Sequence, residues 1–368
     1  MRRSSCQVTS RFPPALLLGA LFVFSGLAGC QAPTGTTPAP SSSTPTSATT
    51  TSSSPPVLWI DTHAHPFGEH KCLDVACLTT YELTMDQYHV QHSLLLAQPN
   101  HRSPQSGGED ELVRGVMARP QRYSFILGGQ SLNPIIHNGT GSGPEGTAFV
   151  KRADAIAANG SRGYGEMAAL HLSFGAEHPF MEVPPDHPYF RQLAEKAAEH
   201  NLPIDFHMEA VVNDMDTPQR SRDMSAKNPP TLKANIAAFE QLLDHDPNAR
   251  IVWAHVGWDN TGDMTTDLIR DLLYQHPNLY LQLKFTSTKF TPTFPDHSVL
   301  DSAKKIRPEW LTLLQDYPDR AVIGSDVKFA DPEFNSAYLE DADRFVQALP
   351  SSIQNKIAFE NAKALYNL

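Results

Sequence analysis

Eight short apolar runs, separated by longer amphipathic stretches, constrain the fold of this chain more than any other feature of its sequence. The runs are rich in β-branched residues, as buried parallel strands are. Strict alternation of strand and helix predicts a parallel sheet covered by helices, and eight units favour a closed TIM (β/α)₈ barrel of the α/β class over an open sheet. The predicted strands are 57–62, 92–98, 123–130, 163–168, 203–208, 250–255, 279–285 and 321–326.

Helical periodicity follows most of these strands. Residues 57–368 fit one barrel domain, for which roughly 250 residues plus insertions are typical. The segment 66–80 reads as a long loop, and no helix is predicted between the first two strands. A final helix over 352–365 is expected to pack across the bottom or side of the barrel. The other predicted helices are 112–119, 148–159, 189–200, 232–244, 264–276, 303–317 and 337–348.

The first 30 residues predict export and a membrane anchor. A positive start is followed by the apolar run 15–28, which is short for a bilayer span. The run ends in Leu-Ala-Gly before Cys30, which resembles a bacterial lipobox and implies acylation of that cysteine. An ordinary secretory signal, a short membrane anchor or a twin-arginine signal are alternatives. Residues 31–56, rich in Ser, Thr and Pro, predict a disordered tether that holds the domain at the cell envelope.

Charge and cysteine content restrict the partners. The net charge of −11 argues against nucleic acid, since phosphate binding depends on clustered Lys and Arg. A small-molecule substrate is the expected partner, and the oligomeric state stays open. Cys72 and Cys77 could close a small disulfide in an oxidising compartment, or remain two thiols. A zinc site at this pair is disfavoured because it offers only two ligands.

Metal-competent side chains recur at the predicted strand ends. His63 and His65 alternate along the first strand, so that both can face one ion. Active sites of such barrels lie at the carboxyl ends of the strands. A single His or Asp at a strand end is more often a hydrogen-bonded or capping residue, but the joint pattern predicts a metal site. Strands four, five, six and eight end in Glu166, His207, His255 and Asp326.

These motifs resemble the amidohydrolase superfamily, and the amidohydrolase-2 branch most closely, over residues 57–368. The resemblance rests on Ile60–His65, on His207 and His255, and on the Gly-Ser-Asp sequence 324–326. Gly165-Glu166 is also similar to the strand end of TatD-type hydrolases, in which the glutamate contacts a metal. The lysine that becomes carboxylated in other members has no counterpart, because strand four offers Glu166.

The resemblance implies a divalent metal cofactor of one or two ions. Zinc is the first expectation for an imidazole-rich site, with manganese or iron as alternatives. A single ion would be held by His63, His65, His207 and Asp326, which leaves His255 to orient or deprotonate water. With two ions Glu166 would bridge, one ion taking His63, His65 and Asp326 and the other His207 and His255. In either case Asp326 could accept the proton of the attacking water.

The expected activity is metal-dependent attack of water on an amide, lactone or ester bond. Glu209 and Lys284 are the candidate substrate-binding residues, with Arg162 and Lys328 as secondary candidates. Two alternatives stay open: a non-oxidative decarboxylase, as the amidohydrolase-2 branch includes, and a surface lipoprotein that binds a ligand without catalysis.

Overall fold

A computed structural model describes residues 55–67, 71–102, 107–175, 178–285, 291–330 and 335–368. Eight parallel strands run through this part of the chain. The strands are β1 (Trp59–His65), β2 (Val90–Leu96), β3 (Tyr123–Gly128), β4 (Tyr164–His171), β5 (Ile204–Met208), β6 (Ile251–Val256), β7 (Leu279–Leu283) and β8 (Ala321–Ile323). Each strand pairs with the next one along the chain, and their order in the sheet follows the sequence.

Pairing between the last and first strands closes the sheet. Asp61 of β1 lies opposite Ile323 of β8 in parallel register. The short strand Val327–Lys328 continues this pairing along the end of β1, where Lys328 lies opposite His65. The predicted (β/α)₈ barrel is therefore confirmed. Its closure brings the carboxyl ends of strands that are distant in sequence to one rim.

Helices cover the outside of the barrel. They are α1 (Val75–Gln87), α2 (Gly107–Met117), α3 (Asn133–Asn138), α4 (Pro144–Ala158), α5 (Pro188–His200), α6 (Gln219–Met224), α7 (Ile236–His245), α8 (Thr266–Gln275), α9 (Pro308–Asp316), α10 (Asn335–Ala348), α11 (Ser351–Asn355) and α12 (Asn361–Tyr366). A π-helical segment, Lys356–Glu360, joins α11 to α12. Within the described ranges, each helix is too short or too polar to cross a bilayer.

The prediction of a loop without a helix between the first two strands was wrong. Helix α1 begins after Asp74, whose carboxylate accepts a hydrogen bond from Cys77 N. Val75 and Leu83 on this helix are 70% and 67% exposed, so its apolar residues do not form one stripe. The periodicity that reveals an amphipathic helix is therefore lost. The helices predicted to begin at residues 232 and 303 begin later, at Ile236 and Pro308. Proline is favourable at the first position of a helix, which is where Pro308 lies in α9.

The C-terminal segment closes the barrel at the end opposite the predicted site. Leu365 and Tyr366 of α12 are buried against Ile60, Val252 and Val322. Each of these three is the second residue of its strand, so the contact lies at the amino ends of the strands. The predicted position across the bottom of the barrel is confirmed, although the single expected helix is divided into three segments.

Candidate metal centre

All six predicted ligands meet at the carboxyl ends of the strands. Five of them are buried, and the Asp326 side chain is 15% exposed. Three overlapping groups each bring their ligand atoms within 4.8 Å of one another. These groups are His63, His65 and Glu166; His63, His255 and Asp326; and Glu166, His207 and His255.

Two imidazole nitrogens face each other at the centre of this cluster. His63 Nδ1 lies 3.1 Å from Asp205 Oδ2, and His65 Nδ1 lies 2.9 Å from Leu96 O. Because a carboxylate and a carbonyl oxygen only accept, both Nδ1 atoms carry the proton and donate it. In the neutral form of both rings the two Nε2 atoms are therefore acceptors, 3.2 Å apart. Such a pair requires a cation between the rings, either a proton or a metal ion.

The surroundings of His63 favour positive charge. Burial alone would lower the pKa of its ring, but Asp205 and Glu166 outweigh this effect and raise that pKa well above its usual value. A proton shared by the two Nε2 atoms would be enough for His63 and His65. Two more imidazoles and two carboxylates, however, belong to the groups that overlap with this pair. Imidazole nitrogen and carboxylate oxygen are the donors that zinc and related divalent ions bind. The residues present therefore fit a metal centre better than a proton alone.

Glu166 lies between two halves of the cluster. Its Oε2 is 3.7 Å from the Nε2 atoms of both His63 and His65. Its Oε1 is 2.5 Å from His207 Nδ1 and 3.1 Å from His255 Nε2. Each oxygen thus faces one pair of histidines, and His207 is grouped with His255 rather than with His63 and His65.

Asp326 completes the half that contains His63 and His65. Its Oδ1 lies 3.1 Å from His65 Nε2, and its Oδ2 accepts a hydrogen bond from the Lys284 ammonium group. Burial raises the pKa of Asp326, but the charge of Lys284 and of His255 outweighs burial and holds it well below its usual value. Lys284 also lies over the Trp258 ring, 4.4 Å from its centroid. The carboxylate is therefore ionised and fixed in place.

Two candidate ligands have unusual backbone geometry. The φ angles are 61° at His255 and 54° at Asp326, in the left-handed region that few residues other than glycine adopt. Such conformations cost of order 1–3 kcal/mol and persist where the surrounding structure enforces them. At these strand ends they turn both side chains toward the other ligands.

Asp205 is a functional candidate that the sequence analysis missed. It is fully buried, and its Oδ2 accepts hydrogen bonds from His63 Nδ1 and from Gln282 Nε2 at 2.7 Å. Asp205 and Gln282 each pack against a glycine. A Cβ at Gly165 would lie 2.7 Å from Asp205 Cβ, and one at Gly324 would lie 2.5 Å from the Gln282 side chain, so a larger residue at either position would displace them. One signal was present, because Asp205 precedes His207 by two residues and so shares its face of the strand.

A cavity of about 440 Å³ opens above the ligands and has the size of a small-molecule site. Of the predicted substrate-binding residues, Glu209, Lys284 and Lys328 line it. Arg162 does not, because it precedes β4 at the other end of the barrel and donates to Asn367 O.

Glu209 has an environment of its own within the cavity wall. Its Oε1 accepts a hydrogen bond from Asn260 at 2.8 Å, and its Oε2 is buried without a hydrogen-bond partner among the described residues. Burial raises the pKa of Glu209 to about 7, so a fraction of it carries a proton near neutral pH. Away from the cavity, a disulfide joins Cys72 to Cys77, and Cys30 lies outside the described residues.

The family profile described as amidohydrolase matches residues 60–368, which include every ligand of the cluster. This chain belongs to the amidohydrolase family. The predicted family resemblance is therefore confirmed. Among curated proteins, none matches this chain.

Solved structures similar to this amidohydrolase share low sequence identity with it. Amidohydrolase 2 from Bifidobacterium longum subsp. infantis is 13% identical, with 85% of this chain and 99% of that chain covered, at a TM-score of 0.47. The 2,6-dihydroxybenzoate decarboxylase from Rhizobium is 13% identical, with 84% of this chain and 98% of that chain covered, at a TM-score of 0.47. A β-aspartyl dipeptidase from Fervidobacterium islandicum AW-1 is 12% identical over 84% of this chain and 74% of its own, at a TM-score of 0.50. That last likeness shows a shared fold.

We predict that Asp205→Asn weakens metal binding by about 10- to 100-fold, the usual effect of losing a carboxylate that orients a histidine ligand. The amide keeps the size of the side chain but removes the charge that holds the proton on His63 Nδ1. Competition with a calibrated chelator measures the affinity. Asp271→Asn, on the outer helix α8, is the matched control. Equal affinity in the two variants would contradict the positioning role.

Proposed function

We propose that this amidohydrolase is a metal-dependent hydrolase with two divalent ions, which uses water to cleave an amide, lactone or ester bond of a small molecule. Zinc is the first choice of metal, because four of the six ligands are imidazoles, with manganese or iron as alternatives.

The position of Glu166 supports the assignment of two ions. Each of its oxygens faces a separate pair of histidines, as a bridging carboxylate would. In the proposed arrangement, one ion is held by His63, His65, Asp326 and Glu166, and the other by Glu166, His207 and His255. The alternative with a single ion is less well supported, because it requires His207 to join His63 and His65 although it is grouped with His255.

Ions at this site would lower the pKa of water toward 7, from roughly 15.7 in bulk, and polarise the scissile carbonyl group. Asp326 is ionised and lies at the cavity floor, so it is suited to accept the proton of the attacking water and to donate it to the leaving group. Lys284 holds that carboxylate in position and lines the same cavity. With a single ion, His255, buried beside Glu166, would be free to orient or deprotonate water or to steady the charge that develops on the substrate.

Two other functions compete with hydrolysis. A decarboxylase could use a similar ligand set, and it would release carbon dioxide without consuming water. A ligand-binding protein without catalysis would tolerate loss of ligands, yet the six predicted positions all carry metal-competent side chains in one cluster. That completeness favours an enzyme.

We predict that the purified protein contains about two transition-metal ions per chain and that a chelator abolishes hydrolysis, which returns when zinc or manganese is added. His63→Asn and Asp326→Asn should each lower kcat by at least about 100-fold while the circular dichroism spectrum stays unchanged. The measurements are elemental analysis and a hydrolysis screen of lactones, N-acyl compounds and esters.

A histidine outside the cluster provides the matched control. His245→Asn changes an outer residue that pairs with Glu195, and it should leave metal content and kcat unaltered. Absence of bound metal after growth in replete medium would refute the proposal. Carbon dioxide release from an aromatic carboxylate without hydrolysis of any screened compound would favour the decarboxylase.

We also propose that Cys30 is lipidated and that residues 31–56 tether the domain to the bacterial cell envelope. The support is the sequence alone: a lipobox-like Leu-Ala-Gly-Cys follows an apolar run, and an uncharged Ser/Thr/Pro-rich stretch follows Cys30. Expression with a labelled fatty acid should label the membrane-bound protein and leave Cys30→Ala unlabelled. Equal labelling of both proteins, or of neither, would contradict this proposal.

A further inference from the structure

The cavity above the candidate metal ligands has cationic side chains in its wall, and not all of them are paired with a carboxylate. Three cationic side chains line it: Arg220, Lys284 and Lys328. Lys284 is paired with Asp326. In the described ranges, neither Arg220 nor Lys328 has a carboxylate within the 4.0 Å of an ion pair. Uncompensated cations are notable in a chain whose net charge is −11.

Arg220 is held in place by neutral acceptors. Its guanidinium donates to Thr291 O at 3.0 Å, to Thr291 Oγ1 at 3.1 Å and to Pro292 O at 3.1 Å. These contacts fix the orientation of the planar group without neutralising its charge. A guanidinium has five N–H donors, so two remain for another partner. The remaining donors, Nε–H and one Nη1–H, lie on different edges of the group, so each can donate a single charge-assisted hydrogen bond to an oxyanion such as a carboxylate or a phosphate.

Lys328 lies next to the metal ligands. It pairs in the sheet with His65, and its side chain is half-buried at the cavity wall. It lines the cavity together with His178, whose ring pKa is lowered to about 3, first by burial and then by the charge of Lys328.

The remaining wall of the cavity is largely apolar. Phe174, Met224 and Trp258 contribute to it, together with two prolines. The lining also includes three carboxylates, equal in number to the three cations, so the divalent ions of the proposed function would give the cavity a net positive charge. Its chemistry is that of a site for a small, partly apolar anion.

We propose that the substrate carries an anionic group, a carboxylate or a phosphate, that Arg220 and Lys328 bind at a distance from the bond that reacts. This inference rests on the proposed function, since it names the substrate class of the same site. Arg220 and Lys328 are then specificity-determining residues, and neutral analogues of the substrate bind poorly.

Titration calorimetry of the metal-loaded protein tests this proposal with succinate and inorganic phosphate, and with succinamide as the neutral match. Arg220→Gln and Lys328→Gln should each weaken binding of at least one anion by about tenfold or more, as loss of a charge-assisted hydrogen bond does. The control is Arg222→Gln, which changes an exposed arginine of the same helix whose side chain hydrogen-bonds Gln219 and lies outside the cavity lining. It should bind like the unaltered protein.

Three results would overturn the proposal: no binding of either anion, equal binding in all variants, or equal weakening by Arg222→Gln. Equal binding would place the anion on the metal ions, and equal weakening would indicate a diffuse effect of surface charge. Metal content is measured in the same samples, because it distinguishes a failure of the anion-site proposal from a failure of the hydrolase proposal. Protein with two ions but no effect of Arg220→Gln and Lys328→Gln refutes the anion site alone, whereas protein without metal refutes the hydrolase.

Discussion

The contact on which the site depends is the meeting of His63 Nε2 and His65 Nε2 at 3.2 Å. In the neutral form of each ring neither atom carries a proton, because both rings donate from Nδ1, one to Asp205 and the other to Leu96 O. The arrangement is stable only with a cation between the rings. The carboxylates of Glu166 and Asp326 lie beside His65 Nε2 on the cavity side, and their negative charge also favours a cation at this position.

Side chains and backbone from other strands of the barrel hold His63 and His65 in this position. Strand β5 presents Asp205 to His63 from the interior, and β7 presents Gln282 to Asp205. Small residues at 165 and 324 leave room for these two side chains. Closure of the barrel between β1 and β8 then brings Asp326 beside His65. A metal centre assembled from five strands is possible because the barrel holds their ends at fixed positions.

Sequence patterns predicted the barrel, and the six candidate ligands that they singled out lie together in one cluster, for definite physical reasons. Buried parallel strands have continuous apolar runs, and alternation along β1 places His63 and His65 on one face. The patterns left the grouping of the candidate ligands open between a one-ion and a two-ion arrangement. That His207 lies with His255 depends on the orientation of Glu166, which is set by contacts between strands that are far apart in sequence.

Helix α1 and Arg220 show where prediction from sequence fails. The apolar residues of α1 are partly exposed, so its periodicity is blurred. Arg220 lies in a helix of six residues within the long β5 loop, where its guanidinium donates to Thr291 and Pro292, which follow β7. Substrate recognition by loops of this kind depends on tertiary contacts that local patterns do not contain.

Anomalous X-ray scattering from crystals of the purified protein, recorded at the absorption edge of the bound metal, distinguishes the two-ion arrangement from its alternatives. Two peaks are expected, one about 2.0–2.2 Å from the Nε2 atoms of both His63 and His65, and one at the same distance from His207 Nδ1 and His255 Nε2. A single peak shared by His63, His65 and His207 would contradict the two-ion arrangement. No peak at all, in protein grown with ample metal, would contradict the metal centre itself.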